Sequence, residues 1–145
     1  MKTKELKEKG AIFFERIEEG FSEYKDAIIV LEEEEAVEHF KKLIQEYGEE
    51  NAYADFYYYK LSEEAREKIN GILKEDELEY LRGLSVESSD DIVFLLDERL
   101  LQIIVKLNAK EMLFSTIYFL ENGEKKRSTW WGNYNKEYYC FTDCK

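Results

Sequence analysis

Residues 112–142 read MLFSTIYFLENGEKKRSTWWGNYNKEYYCFT, and this stretch decides the fold class. Met112–Leu120 is dense in β-branched and aromatic residues, which suit a pleated, half-buried surface. Asn122-Gly123 follows, the strongest short hairpin signal, because the central residues of the favoured turn need positive φ. Arg127–Trp131 reads as the return strand. Gly132-Asn133-Tyr134-Asn135 supplies a second turn and Lys136–Thr142 a third strand. The segment therefore predicts an antiparallel meander of three strands. Successive side chains of a strand point to opposite faces, so Trp130 and Trp131 are expected on opposite sides, as are Tyr138 and Tyr139.

Upstream, residues 97–108 fit two templates. Leu101, Ile103, Val105 and Leu107 alternate as in a strand, whereas Leu100, Ile103, Ile104 and Leu107 share a helix face. Asp97-Glu98 makes a helix start, Lys106 with Asn108 a helix end, and Asp97-Glu98-Arg99 holds no Gly or Asn for a hairpin turn. The helix reading is taken. Before it, the polar loop Glu87–Asp91 leads into a strand at Ile92–Leu96. Ser62 is expected to cap a helix running to about Leu73, and Asp76 a short helix ended by Gly83. Tyr53–Lys60 (YADFYYYK) predicts a strand with Ala54, Phe56 and Tyr58 on one face and Tyr53, Asp55, Tyr57 and Tyr59 on the other. Ala36, Val37, Phe40, Leu43, Ile44 and Tyr47 form the cleanest helical stripe, preceded by Glu32–Glu35, whose charges suit a helix N-terminus, and closed by Gly48. Ala27–Leu31 reads as a short buried strand. Residues from Lys4 to Phe21 read as one helix weakened at Gly10 and C-capped by Gly20. The whole predicts an α+β fold: helices packed on an antiparallel sheet, ending in the meander, with residues 1–145 forming one globular domain.

Composition narrows the function classes. The 145 residues carry 33 acidic and 21 basic side chains, a formal net charge of −12. Hydrophobic residues make up 44%, with nine Phe, eleven Tyr and two Trp, enough for a core and too many for a disordered chain. Proline is absent, so turns fall to Gly, Asn and Asp. No apolar run approaches the roughly 18–20 residues that cross a bilayer. The lysine-bearing N-terminus lacks the uninterrupted apolar region of a signal peptide, because Glu15, Glu18 and Glu19 interrupt it. Cys140 and Cys144 match no zinc or redox spacing and read as two reduced thiols, which points to the cytoplasm. Residues 1–100 hold 28 acids and 14 bases, while residues 101–145 hold 5 and 7. The acidic portion repels phosphate backbones and anionic lipid and favours a basic partner.

Catalytic chemistry finds little support. His39 is the single histidine; it lies off the apolar stripe of its helix, is expected to face solvent, and has no HExxH context. The seven glycines are scattered singly, so no phosphate-binding loop exists. Asp90-Asp91 lacks the spacing of a calcium loop. No metal and no cofactor are expected. Asp97 reads as a helix cap. Asp55 is the carboxylate of most interest because it sits inside an aromatic strand, where an outward, half-exposed position is expected.

One segment stands out. Residues 125–141 (KKRSTWWGNYNKEYYCF) gather both tryptophans, three tyrosines and four basic residues. Trp, Tyr and Arg are the favoured anchors of protein interfaces. The expected binding residues are Trp130, Trp131, Tyr134, Tyr57, Tyr59 and Asp55. In general character a small acidic domain rich in Tyr and Trp resembles toxin-neutralising immunity proteins or viral inhibitors, a likeness of type that assigns no residues. The expected function is a non-enzymatic, acidic protein-binding domain of the immunity or inhibitor type that neutralises a basic partner such as a toxin or an enzyme. Single-stranded nucleic-acid binding through the C-terminal hairpins is one alternative, though the acidic remainder disfavours it. A carboxylate-based hydrolase using Asp55 is another. A second copy covering an edge strand or aromatic patch would make a homodimer.

Overall fold

The computed structural model describes residues 1–84 and 91–144. Its centre is a six-stranded antiparallel sheet in the order β1-β6-β5-β4-β2-β3. The strands are β1 (Lys25–Val30), β2 (Ala52–Asp55), β3 (Val93–Leu95), β4 (Thr116–Phe119), β5 (Ser128–Gly132) and β6 (Glu137–Thr142). The meander forms as expected, with Ile117 opposite Trp130 and Trp130 opposite Cys140. Asn122 and Lys125 exchange backbone hydrogen bonds of 2.9 and 3.0 Å across the first turn. The polar loop read at Glu87–Asp91 lies, except for Asp91, outside the described residues.

One sheet face carries a helical layer. Helix α3 (Glu33–Tyr47) and helix α6 (Glu98–Ala109) lie against it, flanked by α4 (Glu63–Asn70) and α5 (Glu75–Gly83). Residues 97–108 are helical because Asp97 caps the end, its Oδ1 accepting the Leu100 N–H at 2.8 Å. Leu100, Leu101, Ile103, Ile104, Val105 and Leu107 are all buried, a broader face than a half-buried strand offers. Burying each such side chain contributes about 1.5–3 kcal/mol. Phe40, Ile44, Phe56, Ile117, Phe119 and Tyr138 complete this core. Helix α4 is capped by Ser62, as expected, but stops at Asn70 rather than Leu73. Helix α5 starts from Lys74, not Asp76: the Lys74 N–H donates to the Glu77 carboxylate at 2.8 Å, closing the first turn.

The other sheet face is crossed by the N-terminal arm, and here the expectation of one helix from Lys4 to Phe21 is corrected. Helix α1 (Thr3–Glu8) ends before Gly10, whose φ of +97° turns the chain; residues 11–16 run without helix, and α2 (Ile17–Glu23) follows. The cause is tertiary: consecutive Ile12, Phe13 and Phe14 are all buried or half-buried, which no single helical stripe allows. Leu6, Ala11 and Phe13 pack with Tyr53 and Tyr118, while Ile12 and Phe14 pack with Phe141. Thr129 Oγ1 donates to the Ile12 carbonyl at 2.7 Å and Arg127 Nη1 to the Gly10 carbonyl at 2.9 Å. Gly20 is not a cap but an interior residue of α2, where a Cβ would stand 2.4 Å from the Phe14 ring and 2.7 Å from the Phe141 ring.

Two further expectations change. Strand β1 is an exposed edge, not a buried strand: Ile28 and Val30 are 57% and 59% exposed. Its β-branched run reports strand geometry, whereas burial depends on a cover that the arm does not extend that far. The aromatic strand ends at Asp55, and Tyr58–Lys60 forms a 3-10 turn. The turn breaks the alternation, so Tyr59 joins the helical side, its ring near Tyr58 and Phe94 and its hydroxyl donating to the Leu81 carbonyl. Among the described residues, no helix is long and apolar enough to cross a membrane.

Candidate binding cleft

The arm covers the second sheet face incompletely. Between Phe13–Ile17 on one side and the ends of β2, β4 and β5 on the other lies an open cleft of about 670 Å³. Its size falls within the roughly 300–1,000 Å³ usual for ligand sites. Its walls are aromatic: Phe14, Tyr57, Phe114, Tyr118, Trp131 and Tyr139 all contribute. Trp131 stacks on Phe14 with ring centres 5.2 Å apart and planes 17° from parallel, a contact that holds the indole in place.

Asp55 is the charged group set deepest in this wall, at 6% exposure, which corrects the outward, half-exposed position expected for it. Alternation puts Asp55 on the face away from the helices, but that face is roofed by the arm rather than open. The β2–β4 ladder pairs its last residues at Ala54 and Ile117. Just beyond, Asp55 Oδ1 accepts the Thr116 N–H at 2.8 Å. The Thr116 and Tyr118 hydroxyls also favour the charged form of the carboxyl. Burial outweighs these contributions and pushes the Asp55 pKa up to about 7. Burial, with the Asp55 charge beside it, pushes the Tyr57 phenol up to about 12 and raises Tyr118 well above its ordinary value. Glu15 and Lys60 stand exposed at the mouth.

The structure thus brings Asp55, Tyr57 and Trp131 into one cleft. Tyr134 stands at its rim, 59% exposed, its ring 4.9 Å from Phe114. Trp130 and Tyr59 do not belong to it. Trp130 lies on the helical side, edge-on to Phe40, with its indole N–H donated to Ser128 Oγ at 3.0 Å. Phe13, Phe14, Glu15 and Ile17 were invisible as site residues because the arm reads as helix; the one available signal was the unbroken Ile12-Phe13-Phe14, which a single stripe cannot bury.

His39 is also corrected. It is half-buried rather than solvent-facing, its ring centre 5.0 Å from both Phe40 and Trp130, and its Nε2 is buried with no hydrogen-bond partner. The position is off the α3 stripe, but Trp130 reaches across from β5 to cover it. Burial lowers its pKa against the opposing pull of Glu46. Cys140 is half-buried, its thiol pushed up to about 12, and Cys144 is exposed; both are free. A thiol at that pKa stays protonated and unreactive at neutral pH. Among the described residues, no three His, Cys, Asp or Glu side chains converge as a metal would require.

The four basic residues of the aromatic segment each meet a carboxylate. Lys125 pairs with Glu46 at 2.9 Å, Lys126 with Glu121 at 3.6 Å, Arg127 with Asp143 at 2.6 Å and Lys136 with Glu32 at 2.7 Å. Comparison with known protein families, with curated proteins and with solved structures finds no match to this chain.

Proposed function

We propose that this chain is a non-enzymatic binding domain, of the immunity or inhibitor type, that holds a basic protein partner against the arm-side face. The observation that carries this reading is the cleft, where a carboxyl and a wall of aromatic rings meet in a chain of net charge −12. Aromatic anchors in a partly desolvated pocket supply affinity, and the acidic excess supplies steering. The pairing of Lys125, Lys126, Arg127 and Lys136 with carboxylates removes support from the nucleic-acid alternative, which needs a free basic groove. The hydrolase alternative has one observation in its favour, a cleft carboxyl with its pKa near neutrality. Among the described residues lining the cleft, the other carboxylate, Glu15, is exposed at the mouth.

The test is binding, by calorimetry, to a panel of folded basic proteins and peptides and to charge-neutralised counterparts. Basic members are expected to bind, to weaken at least tenfold between about 50 and 300 mM salt, and to weaken about tenfold or more with Trp131→Ala. Equal binding of neutral counterparts, or an unchanged affinity in the Trp131 variant, overturns the reading.

A further inference from the structure

We propose that the cleft receives the guanidinium end of an arginine side chain from the partner, laid against the aromatic wall with its charge toward Asp55. This rests on the binding reading above and names its anchor. Three features of the cleft select that chemistry. The first is the wall itself: Tyr57, Phe114 and Trp131 line it together with Asp55, the one buried carboxyl among the described lining residues. Planar guanidinium stacks on such rings and is less strongly hydrated than an ammonium, so it gives up water at lower cost.

The second is acceptor capacity. An ionised carboxylate accepts about four hydrogen bonds. The Thr116 N–H fills one of these positions on Asp55 at 2.8 Å. Capacity remains for an incoming donor. The third is size: the cleft is open and about 670 Å³, room for an arginine carried on a length of chain.

The charges around Asp55 determine what arrival does. From β4 the carboxyl is faced by Tyr118, from the turn after β2 by Tyr57 and Lys60, and from the arm by Glu15. On the β3 side the Met1 ammonium and Asp91 pair with each other at 3.8 Å. Among the described lining residues, Glu15 and Lys60 carry opposite charges and Asp55 is the buried carboxyl. A cation there favours the ionised carboxylate, so binding expels the proton that Asp55 holds below its folded pKa of about 7. With only the ionised form binding, affinity rises about 30-fold from pH 5.5 to pH 8 and levels off above.

The probe is acetyl-Gly-Arg-Gly-amide, compared with its citrulline counterpart, which has the same shape without the charge. Binding is followed by NMR at the Thr116 amide and the Trp131 indole. The arginine peptide is expected to shift both resonances, to bind at least tenfold more tightly than the citrulline peptide, and to lose affinity as pH falls below 7. Asp55→Asn, checked for folding by its amide spectrum, is expected to bring the two peptides to equal affinity. Should that variant not fold, the wild-type comparison of peptides across pH decides the matter alone. Equal binding of the two peptides, or a pH-independent preference, overturns the assignment. Agmatine binding more tightly than the peptide overturns the assignment to a partner chain. If basic partners bind through Trp131 but arginine and citrulline do not differ, this inference fails while the binding reading stands; if nothing basic binds, the binding reading itself has failed.

Discussion

Replacing Asp55 by Asn should make stability nearly insensitive to one proton that the native protein now holds. In the fold Asp55 titrates at about 7, against an ordinary value of 3.8. The folded-state pKa is raised, so the stabilisation is fully present below about 3.8 and is lost as pH climbs to about 7. In that window the native state keeps a proton that the unfolded chain has released, and stability falls with pH. A gap of about 3 at about 1.4 kcal/mol for each is about 4 kcal/mol in total, of which about 3 kcal/mol accrues between pH 5 and pH 8. Asn keeps an oxygen for the Thr116 N–H and has no carboxyl proton to lose. The stability of Asp55→Asn minus that of the wild type should therefore grow by about 3 kcal/mol from pH 5 to pH 8, with the variant gaining as the wild type loses. The other carboxylates titrate in both proteins and cancel in the difference. Urea denaturation followed by tryptophan fluorescence at four pH values measures it, the two midpoints separating by roughly 1–2 M. Parallel stability curves across that range would refute the reasoning, because they would mean Asp55 ionises in the fold as it does in the unfolded chain.

Three other outcomes follow from packing and charge. Gly20→Ala should destabilise by about 1–2 kcal/mol despite its helix-propensity gain, since the new Cβ would meet the Phe14 and Phe141 rings; urea midpoints check this. Lys106→Met should cost about 3 kcal/mol, because it strands Glu77, which lies 2.6 Å from Lys106 with both side chains largely buried. Adding Glu77→Gln should recover part of that loss in thermal melts. Burial depresses the His39 pKa, so its contribution is present above about 6.5 and is lost as pH falls through the lower folded value. Trp130 emission should show a step with a midpoint below 6.5, and His39→Phe should abolish it.

The parts of the fold that the sequence makes legible are those whose signals are local. Asn122-Gly123 needs only its own backbone to turn, Asp97 only the next turn of helix to cap, and the α3 stripe only its periodicity. What stays hidden depends on cover supplied from far away. Alternation correctly turns Asp55 away from Ala54 and Phe56, yet whether that side meets water is decided by Phe13 and Phe14, some forty residues earlier in the chain. His39 and Ile28 make the same point in opposite directions. His39 is off its helix's apolar stripe and becomes covered by Trp130, whereas Ile28 has the composition of a core strand and stays bare at the sheet edge. Trp130 and Trp131 divide as the pleat requires, so one of the expected pair is structural and the other available.

Charge follows the same logic of distance. Along the sequence the chain divides into an acidic first hundred residues and a slightly basic remainder, which invites a picture of a molecule with a positive end. Folding dissolves that division. Strands β5 and β6 sit inside the sheet with α3 across them, so Lys125 lands on Glu46 near one end of α3 and Lys136 on Glu32 near the other. The pairing raises the pKa of both lysines, chiefly through the hydrogen bond each makes to its carboxylate. Two of the tail's basic residues thus pair with carboxylates at the two ends of α3, and the net charge of the molecule stays acidic. In the binding reading proposed above, a partner would meet carboxylates at long range and the aromatic rings of the cleft on contact. Salt should therefore slow association while leaving dissociation from Tyr57 and Trp131 nearly unchanged.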